Sequence, residues 1–179
     1  MAKPLSKDFV ANKHLGLSIE KPEIPDFVRK AAAENGLQEK PEVHISVVVT
    51  KNAMQMWKAA GAKGDASIEA LFKTYVWEYS LTDEYFLHER KYTRQNLTAN
   101  GYAEDIPEHT RRTIVQKVLL PDLPIFYAKV NETLGISLPV PTPHITLFAW
   151  SDYEPFKTRG IGINSAEEFK QFTKQLISQ

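Results

Sequence analysis

The sequence contains no cysteine among its 179 residues. This absence excludes disulfide bonds, thiolate nucleophiles and cysteine-ligated metal sites, and it favours a cytoplasmic location. Surplus charge is also missing, because 22 Lys and Arg residues are balanced by 22 Asp and Glu residues. We therefore expect no non-specific binding to nucleic acid or to anionic membranes, so any nucleic-acid chemistry must be local to a pocket.

Long apolar runs are absent as well. No stretch approaches the roughly 20 apolar residues of a membrane span, and the beginning of the chain, M-A-K-P-L-S-K-D-F-V, lacks the apolar core of a signal peptide. There is no H-x-H or H-E-x-x-H spacing for a metal, and the G-x-G at 160–162 lacks the rest of a nucleotide-binding motif. The sequence therefore predicts no secretion, no membrane span, no metal and no cofactor.

Length and composition suit one domain or two closely joined lobes, since 42% of the residues are hydrophobic and no Gly/Ser linker divides the chain. Periodicity, capping residues and glycine stops predict helices and strands in alternation. We expect helices at about 25–35, 53–60, 66–75 and 122–134 and from 165 onward, strands at 44–50, 84–94, 111–120, 144–150 and 158–163, and a loop at 95–109.

Two short stretches share an unusual pattern. Residues 44–47 read H-I-S-V and residues 144–147 read H-I-T-L, and each stretch opens an apolar, strand-like run. Each also follows a predicted helix and a short loop that contains proline. This repetition predicts two related halves, near residues 1–80 and 81–179.

Strand geometry gives these motifs a chemical meaning. Alternate side chains of a strand share a face, so His44 and Ser46 point one way, and His144 and Thr146 do the same, with about 6 to 7 Å between neighbours. A histidine near its ordinary pKa can accept or donate a proton, and a hydroxyl can donate a hydrogen bond to a phosphoryl oxygen without adding charge. If the two strands face each other, the four groups can cleave a phosphodiester without a metal. For one such histidine alone, a structural role would be the better interpretation.

The pair of motifs resembles the H-x-[T/S]-h motifs of the two-histidine (2H) phosphoesterase superfamily, which includes 2'-5' RNA ligase-like proteins and cyclic nucleotide phosphodiesterases. The resemblance implies an α+β fold of two pseudo-symmetric lobes, each an antiparallel sheet flanked by helices, with the active-site cleft between them. Two departures from the family pattern are Ser46, where threonine is commoner, and the long interval of 100 positions between the motifs.

The activity implied by the resemblance is hydrolysis of a 2',3'-cyclic, 2'-5' or cyclic-oligonucleotide phosphodiester, with a nucleotide or short oligonucleotide as substrate. His44 and His144 would act as acid and base, in an order that the sequence leaves open, and Ser46 and Thr146 would hold the phosphoryl oxygens. The alternative is a non-catalytic module of the same fold that binds a nucleotide or an RNA end. Oligomeric state is not readable from the sequence.

Further substrate contacts are sought among aromatic and basic residues, because nucleobases stack on aromatic rings and phosphates attract arginine. Trp150 lies an even number of residues after His144 and would share its face in a regular strand. The other candidates are Tyr153, Arg159, Tyr92 and Arg90, followed by Tyr85 and Arg94. For each of them taken alone, packing or solvation is the commoner role. Three further histidines lack the motif context and are predicted to be surface or structural groups: His14, His88 and His109.

Overall fold

The computed structural model describes residues 3–6, 15–61 and 64–179, and His14 lies outside the described residues. The described part is an α+β structure with six α-helices. These helices are α1 (Asp26–Glu34), α2 (Thr50–Ala60), α3 (Gly64–Thr74), α4 (Arg94–Ala99), α5 (Asp122–Leu134) and α6 (Ala166–Phe172).

Eight described strands belong to one antiparallel sheet. They are β1 (Lys3–Ser6), β2 (Leu15–Ser18), β3 (Gln38–Glu39), β4 (His44–Val48), β5 (Ser80–Tyr92), β6 (His109–Leu119), β7 (His144–Ser151) and β8 (Thr173–Ile177). Seven of them follow the order β1-β2-β4-β7-β6-β5-β8, and β3 pairs with β7. The α+β class is confirmed, and a single sheet takes the place of one sheet in each lobe.

The two motif strands, β4 and β7, share the fewest registered residue pairs of the neighbouring strands in the sheet. Strands β5 and β6 pair over most of their length, whereas β4 and β7 are registered through one residue pair, Ile45 with Ile145. This junction also joins the N-terminal strands β1, β2 and β4 to the strands that follow residue 80.

The main core lies on one face of the sheet, beneath α1, α2, α3 and α5. Ile45 and Ile145 are fully buried in it, and the aromatic rings of Phe72, Trp77 and Phe126 pack against one another there. A smaller core covers the opposite face and comprises Val115, Ile161, Ile163, Phe169 and Phe172. The junction therefore has a core on one side and leaves its other side to polar side chains.

Most of the predicted helices and strands are present. Helix α1 ends before Gly36 and α5 before Gly135, and both glycines have the positive φ that a helix stop favours. The Ser165 side chain accepts the Glu168 backbone N–H at 3.1 Å and so caps the start of α6.

Three predictions of local structure were wrong. The predicted loop at 95–109 opens with α4, whose Leu97 is fully buried and anchors an otherwise polar segment. Residues 158–163 form no strand, because arginine side chains bond the carbonyl groups of Gly160 and Gly162. The helix predicted from 165 onward stops at Phe172 and the chain continues as β8, in which Leu176 is 55% exposed.

Candidate functional site

The four motif side chains line one cavity of about 450 Å³. They reach it because Ile45 and Ile145 pair directly across β4 and β7 and both point into the main core. Their neighbours on each strand must therefore point to the opposite face. We refer to His44, Ser46, His144 and Thr146 as the motif quartet.

The antiparallel register also fixes how the quartet is arranged. Partners on antiparallel strands step in opposite directions, so His44 lies across from Thr146 and Ser46 lies across from His144. Each histidine is thus adjacent to the hydroxyl of the other motif, and the two imidazoles occupy a diagonal.

His144 has a defined tautomer. Its Nδ1 lies 2.8 Å from the Thr142 carbonyl oxygen, and a carbonyl can only accept, so Nδ1 carries the proton and the neutral ring keeps its lone pair on Nε2. Burial lowers the pKa of His144, although the hydrogen bond to Thr142 opposes the change. At neutral pH this imidazole is therefore uncharged and able to accept a proton.

A glycine-containing segment forms another part of the cavity wall through Gly160, Ile161, Gly162 and Ile163. A Cβ added to Gly160 would lie 3.2 Å from the Thr146 Oγ1, whereas one added to Gly162 would meet nothing within 4 Å. Glycine at 160 therefore allows the backbone to approach the quartet closely.

The cavity is basic although the protein as a whole has no net charge. Lys40, Arg111 and Arg159 line it, and no carboxylate is found among its described lining residues. Lys40 Nζ donates to the Thr158 carbonyl at 2.8 Å, and the Arg159 guanidinium lies 4.4 Å from the centre of the Phe156 ring. This lining favours an anionic ligand over a cationic one.

Of the additional residues predicted from the sequence, Arg159 lines the cavity and Trp150 does not share the face of His144. The pairing of β6 with β7 shifts between Ile114 and Val115, so that Leu147 and Phe148 both face the main core. Beyond this irregularity the alternation is reversed. Trp150 packs against the main core with the Arg112 guanidinium 5.1 Å from its ring.

The remaining predicted contacts lie behind or beside the cavity. Tyr92 is buried and stacks on His109 with 4.9 Å between ring centres, and Arg90 donates to the Gly162 carbonyl at 2.9 Å. Tyr153 packs edge-on against Phe156. Two others are structural: Tyr85 is in the main core, and Arg94 donates to the carbonyls of Glu104 and Ile106.

His88 and His109 are both buried, in keeping with a structural role. Burial and, to a lesser extent, the electrostatic effect of neighbouring His144 lower the pKa of His88 to about 3. Its Nε2 lies 3.0 Å from the Thr173 hydroxyl, and its Nδ1 has no partner among the residues that the structure describes.

Sequence reasoning missed Arg111, Lys40 and Tyr102, which also line the cavity. Arg111 and Arg112 are adjacent on a strand, so alternation alone indicates that one of them faces the cavity side. Which one does so depends on the strand pairing, and for this choice the sequence offered no signal.

Comparisons with known proteins add no identification, because no family model, no curated protein and no solved structure matches this chain. Within the described ranges no helix is long and apolar enough to cross a membrane. No group of three or more potential metal ligands among His, Cys, Asp and Glu occurs in the same part of the chain.

Proposed function

We propose that this protein is a phosphodiesterase of the 2H type, which hydrolyses a 2',3'-cyclic, 2'-5' or cyclic-oligonucleotide phosphodiester without a metal. The observation that carries the proposal is the motif quartet: two histidines and two hydroxyls, from strands 100 positions apart, line one cavity. A core position would not need matched acid, base and donor groups on one face.

The tautomer and the pKa of His144 support a division of roles. Its neutral Nε2 accepts the proton of a water molecule or of a ribose hydroxyl as that oxygen attacks the phosphorus. His44, on the diagonal, donates a proton to the leaving oxygen. The hydroxyls of Ser46 and Thr146 donate to the non-bridging oxygens, and the basic lining offsets the charge of the phosphate.

The strand order supports a fold of two related halves, near residues 1–80 and 81–179. Apart from the short elements β3 and α4, each half contains two paired strands, a helix and a motif strand in that order, first as β1, β2, α1 and β4 and then as β5, β6, α5 and β7. In the sheet, the strands run outward from the junction of β4 and β7 as β4-β2-β1 on one side and as β7-β6-β5 on the other, in mirror order. Under this proposal the cavity over that junction is the cleft between the lobes.

The experiment is a turnover screen in the presence of EDTA. It compares the wild type with His44→Ala, His144→Ala and the double variant on 2',3'-cyclic nucleotides, 2'-5' linked oligoadenylates and cyclic oligonucleotides. We expect turnover by the wild type and a loss of about 10²- to 10⁴-fold in each single variant. Trp150→Phe, on the other face of the sheet, is the control and should retain activity.

Two results would contradict this function. Turnover at the wild-type rate in both histidine variants would show that the motif quartet does not take part in catalysis. Thermal stabilisation by a nucleotide without any product would instead identify a binding module.

A further inference from the structure

Arg111 is a buried cation at the edge of the candidate site. It lines the cavity, yet only 2% of its surface is exposed. The guanidinium lies between two aromatic rings, 4.3 Å from the centre of Tyr92 and 4.6 Å from that of Phe156. These contacts hold the charged group in one plane and remove it from water.

The polar partners of Arg111 among the described residues are uncharged. Its Nε donates to His109 Nε2 at 3.0 Å, and its Nη1 donates to the Gly160 carbonyl at 3.2 Å. His109 is neutral in this arrangement, because its Nε2 accepts from Arg111 and so carries no proton, while its Nδ1, 2.8 Å from the Pro107 carbonyl oxygen, donates. His109 thus acts as a positioning residue that orients the guanidinium.

One part of the guanidinium is left without a partner. Arg111 Nη2 is buried and forms no hydrogen bond with any described residue, and the described ion pairs do not include Arg111. A buried charge without a counter-ion is costly, whereas the same charge held rigidly beside a cavity binds an anion at little cost in ordering. The arrangement suits an anionic group of the ligand.

Gly160 separates Arg111 from the motif quartet. Its carbonyl oxygen accepts from Arg111, while the position of its absent Cβ is 3.2 Å from Thr146 Oγ1. An anion on Arg111 and a phosphoryl group on the quartet would therefore lie on two sides of one residue. Arg111 and the quartet line the same cavity, so one ligand with two anionic groups can reach both.

We propose that Arg111 binds a second phosphate of the substrate, separate from the phosphodiester that the motif quartet cleaves. The proposal rests on the function proposed above and narrows the substrate class. The preferred substrate is then a phosphodiester that bears a further phosphate about one nucleotide away, such as an oligonucleotide or a phosphorylated cyclic nucleotide. A nucleoside 2',3'-cyclic phosphate without a second phosphate leaves Arg111 unpaired.

A binding measurement tests this independently of turnover. Calorimetry compares adenosine 3',5'-bisphosphate with adenosine 3'-monophosphate and adenosine 5'-monophosphate. We expect the wild type to bind the bisphosphate about ten- to hundredfold more tightly than either monophosphate, as one charge-assisted contact predicts. Arg111→Gln should lose this preference and keep its affinity for the more weakly bound monophosphate.

Arg90→Gln is the matched control. Arg90 is also buried against Tyr92 and also donates to a carbonyl of the glycine-containing segment, but it lies outside the described lining of the cavity. It should keep the preference for the bisphosphate. A thermal melt checks that Arg111→Gln is folded, and Arg111→Lys provides a second variant that keeps the charge. The wild-type comparison of the three ligands tests the proposal without any variant.

The outcomes separate the two proposals. Equal wild-type affinity for the bisphosphate and the monophosphates would overturn the role of Arg111, and so would an equal loss for all three ligands in Arg111→Gln. Neither result bears on whether the histidines catalyse hydrolysis. Conversely, a preference that depends on Arg111 without turnover of any substrate would leave the anion site intact and reject the enzyme.

Discussion

Ile45 lies directly opposite Ile145 in the sheet, and both side chains are fully buried. This single pairing determines the candidate site. With both isoleucines directed into the main core, the residues on either side of each must face the cavity. Two motifs that lie 100 positions apart in the sequence are thereby neighbours in one sheet.

Truncation at this junction should destabilise the protein. We expect Ile145→Ala to lower the free energy of unfolding by about 2 to 5 kcal/mol, because a buried isoleucine leaves a cavity when it is shortened. Urea denaturation measures the change. Ile125→Ala, at a position 58% exposed, should alter stability by no more than about 0.5 kcal/mol. Equal effects at the two positions would show that the junction is not tightly packed.

The glycine-containing segment allows a matched pair of variants. In Gly160→Ala the new methyl group lies 3.2 Å from Thr146 Oγ1, so it should displace a hydroxyl of the quartet and lower kcat/KM by about tenfold or more. Gly162→Ala adds the same methyl group where nothing lies within 4 Å, so Thr146 stays in place and kcat/KM should fall less than in Gly160→Ala. Identical rates for the two variants would argue against Thr146 as a phosphate contact.

The pH dependence of the rate should reflect the environment of His144. Because burial lowers its pKa, the group that must be deprotonated in the free enzyme should titrate below the ordinary histidine value of about 6.5. The ascending limb of kcat/KM against pH then has its midpoint below pH 6.5. A midpoint above that value would assign the base to another group.

His88 should make the protein sensitive to acid. Its pKa is about 3 in the folded protein and about 6.5 when unfolded, so the unfolded chain binds the extra proton first and stability falls as the pH drops below 6.5. From pH 7 to pH 5 the loss due to His88 is about 2 kcal/mol.

The variant His88→Gln tests this origin, because its amide can still donate to the Thr173 hydroxyl but does not titrate in this range. Urea denaturation at pH 7 and pH 5 should show a smaller loss in the variant, by about 2 kcal/mol. The same loss in the variant and in the wild type would locate the acid sensitivity elsewhere.

The face on which Trp150 lies could not be predicted from the sequence. Period-two alternation is reliable only while a strand stays in register, and one irregularity between β6 and β7 reversed the faces beyond Thr146. This irregularity arises from the pairing of β6 with β7, and no local sequence pattern predicts it. Arg111 was missed for a related reason: its role depends on His109, Gly160 and two aromatic rings brought together by the fold.

The short strands β3 and β8 were not predicted from the sequence. β3 has only two residues, and β8 directly follows α6 without an intervening loop. Strands of this kind are formed by hydrogen bonds to neighbours that are distant in the sequence, so their residues show little periodicity of their own.

The sequence by itself determined the α+β class, most helices and strands, and the side chains that share a face within each motif, because these depend on local periodicity and capping. Tertiary structure decided everything that depends on pairing between distant segments. It joined β4 to β7, gathered three basic side chains around the motif quartet and buried Arg111 without a counter-ion among the described residues. Strand register and side-chain burial arise only when the whole sheet is assembled, and they are the physical properties on which the candidate site depends.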